Sequence, residues 1–420
     1  MSAVQAGALP HTASHLLDKR AGSIVFLAFA AAYFCSALVR SITATLAPVL
    51  TQEFSLQASD LGLLGGGYFL GFAAMQLPLG SWLDRHGPKR VILWFLAMSV
   101  LGCLAFSLAT SFVWLLASRV LIGMGVSACL MAPLTGFRRW LEPGMILRAN
   151  SWMLMTGSLG MLASTLPVQW LMPLTGWRPL FWILAVMILL AMAVLAKVVP
   201  HWELAPDLAG SAARPASYAQ VWKNRYFQKM SPLAFFNYGG LVAVQTLWAG
   251  PWMIRVAGYT PLESATGLFY INAAMLVTFW TWGMVNPALV RRGWTAERLI
   301  AWIAPLSLVI LALNILGGSQ TGWVGWALFC MASSVMGLAQ PAVGMAFVPS
   351  LAGRALSGYN LVIFSGVFLV QWGIGLLVDA FGAAGLSVVA SFQAAMTVFL
   401  CACTVSFGYF LAVKADNSPQ

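Results

Sequence analysis

The chain has 420 residues, of which 60% are hydrophobic and 8% are charged, with a formal net charge of +11. Soluble globular domains carry roughly 25% charged residues, so this composition excludes an ordinary soluble protein. Apolar runs of at least about 18 residues recur along the whole chain. The alternating pattern that a membrane β-barrel needs every ~10 residues is absent. The sequence therefore predicts an all-α integral membrane protein.

The apolar runs and the polar breaks between them predict twelve transmembrane helices in two halves of six. In chain order the predicted spans are residues 23–47, 59–82, 91–110, 112–135, 150–171, 177–198, 228–253, 266–288, 299–317, 322–349, 356–378 and 385–412. The resulting domains are a tail at 1–22, a six-helix half at 23–198, a polar linker at 199–227, a second half at 228–412 and a tail at 413–420. A central linker between two equal halves is typical of transporters with parallel repeats.

The distribution of the 22 Lys and Arg residues predicts the orientation of the chain. Both tails, the linker and the loops after spans 2, 4 and 8 carry basic residues, whereas the loops on the opposite side carry only Arg178 and Arg255. Short loops rich in Lys and Arg stay in the cytoplasm, so both termini are predicted to be cytoplasmic in a multi-pass protein of the inner (plasma) membrane. The positive charge is thus a topology signal, and no nucleic-acid partner is needed to explain it.

Motifs for catalysis or for cofactor binding are absent from the sequence. All six cysteines fall within predicted spans, where they behave as small hydrophobic residues. There is no phosphate-binding loop, zinc pattern, nucleophile elbow or HExxH motif. We therefore expect no enzymatic activity, no cofactor and no metal.

Two arginines, Arg40 in span 1 and Arg119 in span 4, lie roughly 10 to 15 Å below the predicted outer surface. No acidic residue, lysine or histidine lies deep in any predicted span to neutralise them. Charged residues at such depth normally face water-filled cavities, and a guanidinium binds carboxylate or phosphate in a bidentate manner. We therefore predict that Arg40 and Arg119 bind an anionic substrate together, with Tyr33 as a further substrate-binding residue. Tyr33, Ser36 and Thr43 extend the polar stripe of Arg40 at helical spacing. Two alternatives remain open: each arginine bonds backbone carbonyls, or it snorkels outward.

The loop between spans 2 and 3 carries a Gly-x-x-x-Asp-Arg-x-Gly pattern followed by basic residues. Its residues are Gly80, Asp84, Arg85, Gly87, Lys89 and Arg90. Span 4 adds Arg119 followed by the spaced Gly123 and Gly125. With twelve spans and the linker, the chain resembles the major facilitator superfamily of secondary transporters, of the twelve-span bacterial type. The resemblance implies a central cavity lined by spans 1, 4, 7 and 10, and a cytoplasmic latch in which the 2–3 loop meets span 11. Topology alone also explains Lys89 and Arg90.

Polar residues in the second half are candidates for the opposite wall of the site. Tyr238 and Gln245 are seven residues apart on span 7, and Ser333 and Gln340 are seven apart on span 10. Each pair shares one helix face, so we interpret the four as side chains that orient a ligand. The alternative for each is a hydrogen bond between neighbouring membrane helices.

These residues predict a secondary transporter of a small organic anion, first of all a carboxylate, which works by alternating access. Its expected partners are the anionic substrate and the lipid bilayer, and coupling to a proton or to a counter-anion stays open. Efflux of drugs or metabolites by the same fold and a ligand sensor without transport are the alternatives. All eleven acidic residues can be placed in tails, in loops or at span ends, which disfavours export of cations, since that usually needs an intramembrane carboxylate.

Overall fold

A computed structural model describes residues 16–201 and 218–414, and within these ranges the chain forms helices and turns but no strand. The predicted tails and linker lie largely outside the described residues. The helices are α1 (Lys19–Phe54), α2 (Ala58–Ala74), α3 (Gln76–Ser107), α4 (Phe112–Val126), α5 (Ala128–Trp140), α6 (Pro143–Ala163), α7 (Leu166–Thr175), α8 (Trp177–Val198), α9 (Tyr218–Lys223), α10 (Arg225–Pro232), α11 (Gly239–Ala243), α12 (Ala249–Arg255), α13 (Pro261–Arg291), α14 (Ala296–Gly317), α15 (Trp323–Ser333), α16 (Ala339–Met345), α17 (Pro349–Ala383) and α18 (Val388–Ala412).

Nine helices in this described part of the chain are long and apolar enough to cross a membrane. Three predicted spans are instead built from consecutive shorter helices. Span 2 consists of α2 and the start of α3, and span 5 consists of α6 and α7. Span 7 consists of α10 to α12 and the short helical segments between them. Large apolar side chains on the outside of the bundle, such as Leu190, Trp302 and Leu316, are exposed. The prediction of an all-α membrane protein is therefore confirmed, and the order of the helices is consistent with twelve spans.

The interruptions within spans have local causes. Gly87 has φ 75° and ψ 163° and precedes Pro88, so it ends the second span and starts the third inside α3. Glycine adopts positive φ without steric cost, and proline begins a helix readily because its missing N–H is not needed there. Span 10 passes through a 3₁₀ turn, Ser334–Leu338, just before Pro341, whose ring removes the backbone bond to the carbonyl of residue 337.

Span 7 departs from α-helical geometry twice, in the π-helical segments Leu233–Tyr238 and Val244–Trp248. Inserted π turns shift the side chains that follow around the helix axis and occur often at functional sites. The first of them contacts the 3₁₀ turn of span 10, where a Cβ on Gly337 would lie 3.7 Å from the ring of Tyr238. Both irregular turns therefore lie at one level of the second half.

The two halves meet most closely where α2 and the start of α3 pack along α17. A Cβ on Gly62 would overlap the backbone oxygen of Gln371, and a Cβ on Gly375 would overlap the backbone oxygen of Ala58. Small residues let membrane helices approach at backbone distance, which maximises their van der Waals contact. We call the end of this contact near Asp379 the Asp379 end, and the end near Asp84 the Asp84 end; the basic loops predict that the latter is cytoplasmic.

Candidate functional site

Arg40 lies midway along α1, between the two halves, and its side chain is partly exposed. Its guanidinium carbon is 5.9 Å from the ring centroid of Phe72 on α2. The same group lies within electrostatic range of the hydroxyls of Tyr33 and Tyr68. Its Nε is buried and has no hydrogen-bond partner among the described residues. Arg40 is thus a cation held by aromatic rings and phenols, with bonding capacity left over.

Tyr33 and Tyr238 approach Arg40 from opposite halves of the molecule. Tyr33 is 6% exposed and lies two turns before Arg40 on α1. Tyr238 ends the first π segment of span 7, and its hydroxyl interacts electrostatically with both Tyr33 and Arg40. The structure therefore brings these three sequence-predicted residues together. A ligand bound among them would touch both six-helix halves.

Arg119 lies behind α1 and is only 1% exposed. Its Nη1 donates a hydrogen bond of 3.0 Å to the carbonyl of Val39, the residue before Arg40. Its guanidinium carbon is 5.3 Å from the ring centroid of Tyr68. The sequence predicts the same membrane depth for both arginines but does not determine the direction in which each side chain points. In this conformation Arg119 supports the backbone beside Arg40 and does not share the surface that Arg40 exposes.

Neither arginine forms an ion pair with a carboxylate anywhere in residues 16–201 and 218–414. Ion pairs that do form lie near helix ends, such as Arg178 with Glu53 at 2.7 Å and Lys229 with Glu297 at 3.0 Å. A buried cation without a counterion raises the local potential, because the low-dielectric surroundings screen it weakly. The site therefore favours an anion over a cation.

Two of the three remaining polar candidates, Gln245 and Gln340, form hydrogen bonds between helices of the second half. Gln245 Nε2 donates to Asn272 Oδ1 on α13 at 3.0 Å, and Gln340 Nε2 donates to Asn360 Oδ1 on α17 at 2.7 Å. Ser333 is 3% exposed at the end of α15. The structure does not join these three with Arg40. The contacts of Gln245 and Gln340 correspond to the alternative that the sequence left open, bonds between neighbouring membrane helices.

Three aromatic residues near Arg40 were missed by the sequence reasoning: Tyr68 and Phe72 on α2, and Phe364 on α17. The rings of Phe72 and Phe364 are 4.4 Å apart between centroids, and this contact joins the two halves beside the guanidinium. Tyr68 and Phe72 are four residues apart and therefore share a helix face, which is a signal that the sequence contained. Nothing local to Phe364 distinguishes it from the other phenylalanines of the chain.

The 2–3 loop motif lies against α17 through only some of its residues. A Cβ on Gly80 would lie 3.8 Å from Ser357 Oγ, and Asp84 interacts electrostatically with Arg354 of α17. Gly87 forms the turn described above. The remaining motif residues are exposed or partly exposed: Arg85, Lys89 and Arg90.

The described residues contain no group of three or more His, Cys, Asp or Glu side chains arranged to hold a metal ion. The six cysteines are free thiols.

A family profile described as the Major Facilitator Superfamily matches residues 29–371. The chain belongs to this superfamily. Solved structures of members share its fold: a bacterial homologue of the lysosomal transporter Spinster in an inward-facing, occupied conformation has a TM-score of 0.75 at 18% identity and covers 94% of this chain and 97% of its own. A D-xylose–proton symporter has a TM-score of 0.76 at 13% identity, with 94% and 98% covered. The prediction of the superfamily is confirmed.

Characterised relatives differ in what their names say they carry. The probable sulfoacetate transporter SauU of Cupriavidus necator is 26% identical over 242 residues, which cover 54% of this chain and 56% of that protein. The niacin transporter NiaP of Acinetobacter baylyi is 22% identical over 297 residues, covering 63% and 64%. The multidrug resistance protein MdtL of Shigella flexneri is 24% identical over 239 residues, covering 55% and 58%. The matches thus span less than two thirds of each relative.

Proposed function

We propose that this superfamily member carries a small organic anion, most simply a carboxylate, and that Arg40 binds its charged end. The observation that carries the proposal is the guanidinium of Arg40, partly exposed where the halves meet and without a carboxylate partner in the described residues. Guanidinium–carboxylate hydrogen bonds are about twice as strong as neutral ones. Two relatives named for organic acids, sulfoacetate and niacin, support this substrate class.

In this proposal Tyr33 and Tyr238 complete the anion site from either half. Each hydroxyl lies near Arg40 and can donate to a bound carboxylate. Arg119 acts indirectly: it fixes the carbonyl of Val39 and the ring of Tyr68, and thereby the position of Arg40. Because the anion would contact both halves, its binding is expected to favour a state in which they close around it, as alternating access requires.

In the proposed mechanism, transport is coupled through the transported anion itself and not through a titrating side chain. Arg40 and Arg119 lie without a paired carboxylate in the described residues, so proton transfer through a side chain at the site has no acidic partner there. Exchange against a second anion, or entry of the anion together with its own proton, are the two forms that fit. We also propose that both termini and the linker at 199–227 are cytoplasmic, on the strength of the Lys and Arg distribution.

A thermal-shift screen of the purified protein tests the proposal. The probes are benzoate, nicotinate, sulfoacetate, a phosphorylated sugar and the lipophilic cation tetraphenylphosphonium. A ligand that binds only the folded state raises its stability by RT ln(1 + L/Kd), where L is the free ligand concentration. We expect stabilisation by at least one carboxylate, and an apparent affinity about 10 to 100 times lower in Arg40→Gln, since hydrogen bonds to charged groups contribute roughly 1.5–3 kcal/mol. Arg255→Gln, an exposed arginine at a helix end, is the matched control and should bind like the wild type.

Drug efflux is the second candidate, favoured by the resemblance to MdtL and by the aromatic rings around the site. The same screen separates the two. Stabilisation by tetraphenylphosphonium that persists in Arg40→Gln, with no response to any carboxylate, would replace the anion proposal with efflux of cations. Counterflow of the responding anion in proteoliposomes then distinguishes transport from ligand sensing without transport.

A further inference from the structure

Aromatic rings from both halves surround Arg40, but they differ in exposure. Tyr68 is 0% exposed and Phe72 is 7% exposed, so these rings of the first half present almost no open surface. Tyr238 and Phe364, which belong to the second half, are partly exposed. Among the rings around Arg40, those of the second half therefore keep the more open aromatic surface.

Tyr238 and Phe364 are carried by helices in backbone contact at this depth. A Cβ on Gly239, the residue after Tyr238, would lie 3.0 Å from the backbone nitrogen of Val367 and 3.2 Å from the backbone oxygen of Ile363, the residue before Phe364. Their rings consequently project from adjacent helices at one level of the membrane. Phe364 also reaches the first half through its contact with Phe72.

The two glutamines of the second half that the sequence singled out as candidates are each bonded to an asparagine on a neighbouring helix. Gln245 is bonded to Asn272, and Gln340 is bonded to Asn360. A cargo whose body carried several hydroxyl or amide groups would have to break these bonds or leave its own groups without partners, and both cost binding free energy. A cargo with a flat apolar body has no polar groups that need partners, and it gains binding free energy by packing against aromatic ring faces.

We infer that the cargo is an aromatic carboxylate, with the carboxylate on Arg40 and the ring against Tyr238 and Phe364. The inference rests on the proposed anion function and names the substrate class of the same site. Tyr33 and Tyr238 hydroxyls supply donors for the carboxylate, while the planar ring fits beside aromatic faces in stacked or edge-to-face arrangements. Phe364 is then a specificity-determining residue, because it selects the body of the molecule and not its charge.

Benzoate and cyclohexanecarboxylate give a matched test, since both are monoanions with the same number of non-hydrogen atoms and only one is flat. The measurement is the dissociation constant of each acid for the purified full-length protein, by titration calorimetry. We expect benzoate to bind about tenfold more tightly, because two aromatic contacts each contribute severalfold in affinity. Phe364→Leu should reduce this ratio to below about threefold, whereas Phe364→Tyr, which retains a ring, should preserve it.

Phe368→Leu is the control on the same helix, because Phe368 lies one turn further along α17 and stacks on Trp372. It should leave the ratio unchanged. Equal or tighter binding of cyclohexanecarboxylate overturns the aromatic inference. If Arg40→Gln then weakens both acids equally, the anion function stands and only the inference fails. If no organic anion binds to the wild type, the proposed function fails and the inference fails with it.

Discussion

At the Asp379 end of the contact between the halves, the carboxylate of Asp379 on α17 accepts hydrogen bonds from the backbone of Ala58 at 3.1 Å and of Ser59 at 2.7 Å. At the Asp84 end, the carboxylate of Asp84 interacts electrostatically with Arg354 and with Tyr218. The first carboxylate thus caps the start of α2 across the two halves. Carboxylates at a helix N-terminus are stabilised by its exposed N–H groups and by the helix dipole.

The backbones of the two halves also pack more closely at the Asp379 end than at the Asp84 end. Near Asp379, the backbone oxygen of Ala58 touches Gly375 so closely that a side chain there would overlap it. Near Asp84, Gly80 leaves 3.8 Å between its Cβ position and Ser357 Oγ, and the hydroxyl of Tyr218 donates a long bond of 3.4 Å to the carbonyl of Leu77. The Asp379 end is therefore tightly closed, and the Asp84 end is held by weaker contacts. We therefore expect the Asp84 end to open first from this conformation.

Spin labels on exposed residues can measure both ends in the full-length protein. Gln57→Cys with Ala383→Cys reports on the Asp379 end, and Ser81→Cys with Gly353→Cys reports on the Asp84 end; all four residues are exposed. The background is Cys401→Ser, because Cys401 is exposed while the other five cysteines are buried. Distance distributions from pulsed electron paramagnetic resonance give the population of each open state.

Gly375→Val is expected to have the largest effect. Its side chain would overlap the backbone of Ala58, and overpacking of this kind costs roughly 1–3 kcal/mol, so the helices must separate. We expect a longer Gln57–Ala383 distance and at least about tenfold slower transport of the anion that we propose as the substrate. Gly373→Val is the control on the same helix, because a Cβ there meets nothing within 4 Å. A transport rate that fell equally in both variants would contradict backbone closure at Gly375.

Asp379→Asn is expected to have a smaller effect in the same direction. The amide retains one acceptor oxygen, but the other oxygen and the negative charge at the helix N-terminus are lost. We expect these two losses together to cost about 1–2 kcal/mol. The population open at the Asp379 end should rise about 5- to 30-fold. Asp60→Asn serves as the control, since Asp60 accepts a hydrogen bond of 3.0 Å from the backbone of Gln57 in its own half. A similar response of the label distance to both substitutions would show that local capping of α2, not the contact across the halves, matters.

Tyr218→Phe is expected to have the smallest effect. Burial raises the pKa of Tyr218, with Asp84 acting in the same direction and Arg354 opposing it, so the phenol remains a protonated donor at neutral pH. Removing one long hydrogen bond should change the Ser81–Gly353 populations by less than about twofold. Suppose instead that Tyr218→Phe opens the Asp84 end as much as Asp379→Asn opens the other end. That result would contradict the conclusion that the Asp84 end is held by weaker contacts.

The sequence located part of this arrangement and missed the rest. Arg40 could be found because a charge inside an apolar run is visible in one dimension, and Tyr33 because it lies two turns away on the same face. Asp379 follows the predicted end of span 11, and the sequence gives no sign of its bonds to Ala58 and Ser59, since these partners are more than 300 residues away. Gln245 and Gln340 lie on spans that are predicted to line the cavity. Their hydrogen-bonding partners on neighbouring helices nevertheless determine where their amide groups point.

The sequence by itself determined the membrane class, the approximate positions of the helices and the absence of acidic residues deep in the spans, because hydropathy and charge are properties of short stretches of chain. Tertiary structure decided that Arg119 bonds to Val39 while Arg40 stays partly exposed, that the ring of Phe364 meets Phe72, and that the Asp379 end is closed more tightly. These outcomes depend on how each helix is rotated about its axis. That rotation is set by packing against helices distant in the chain, which no local pattern of residues encodes.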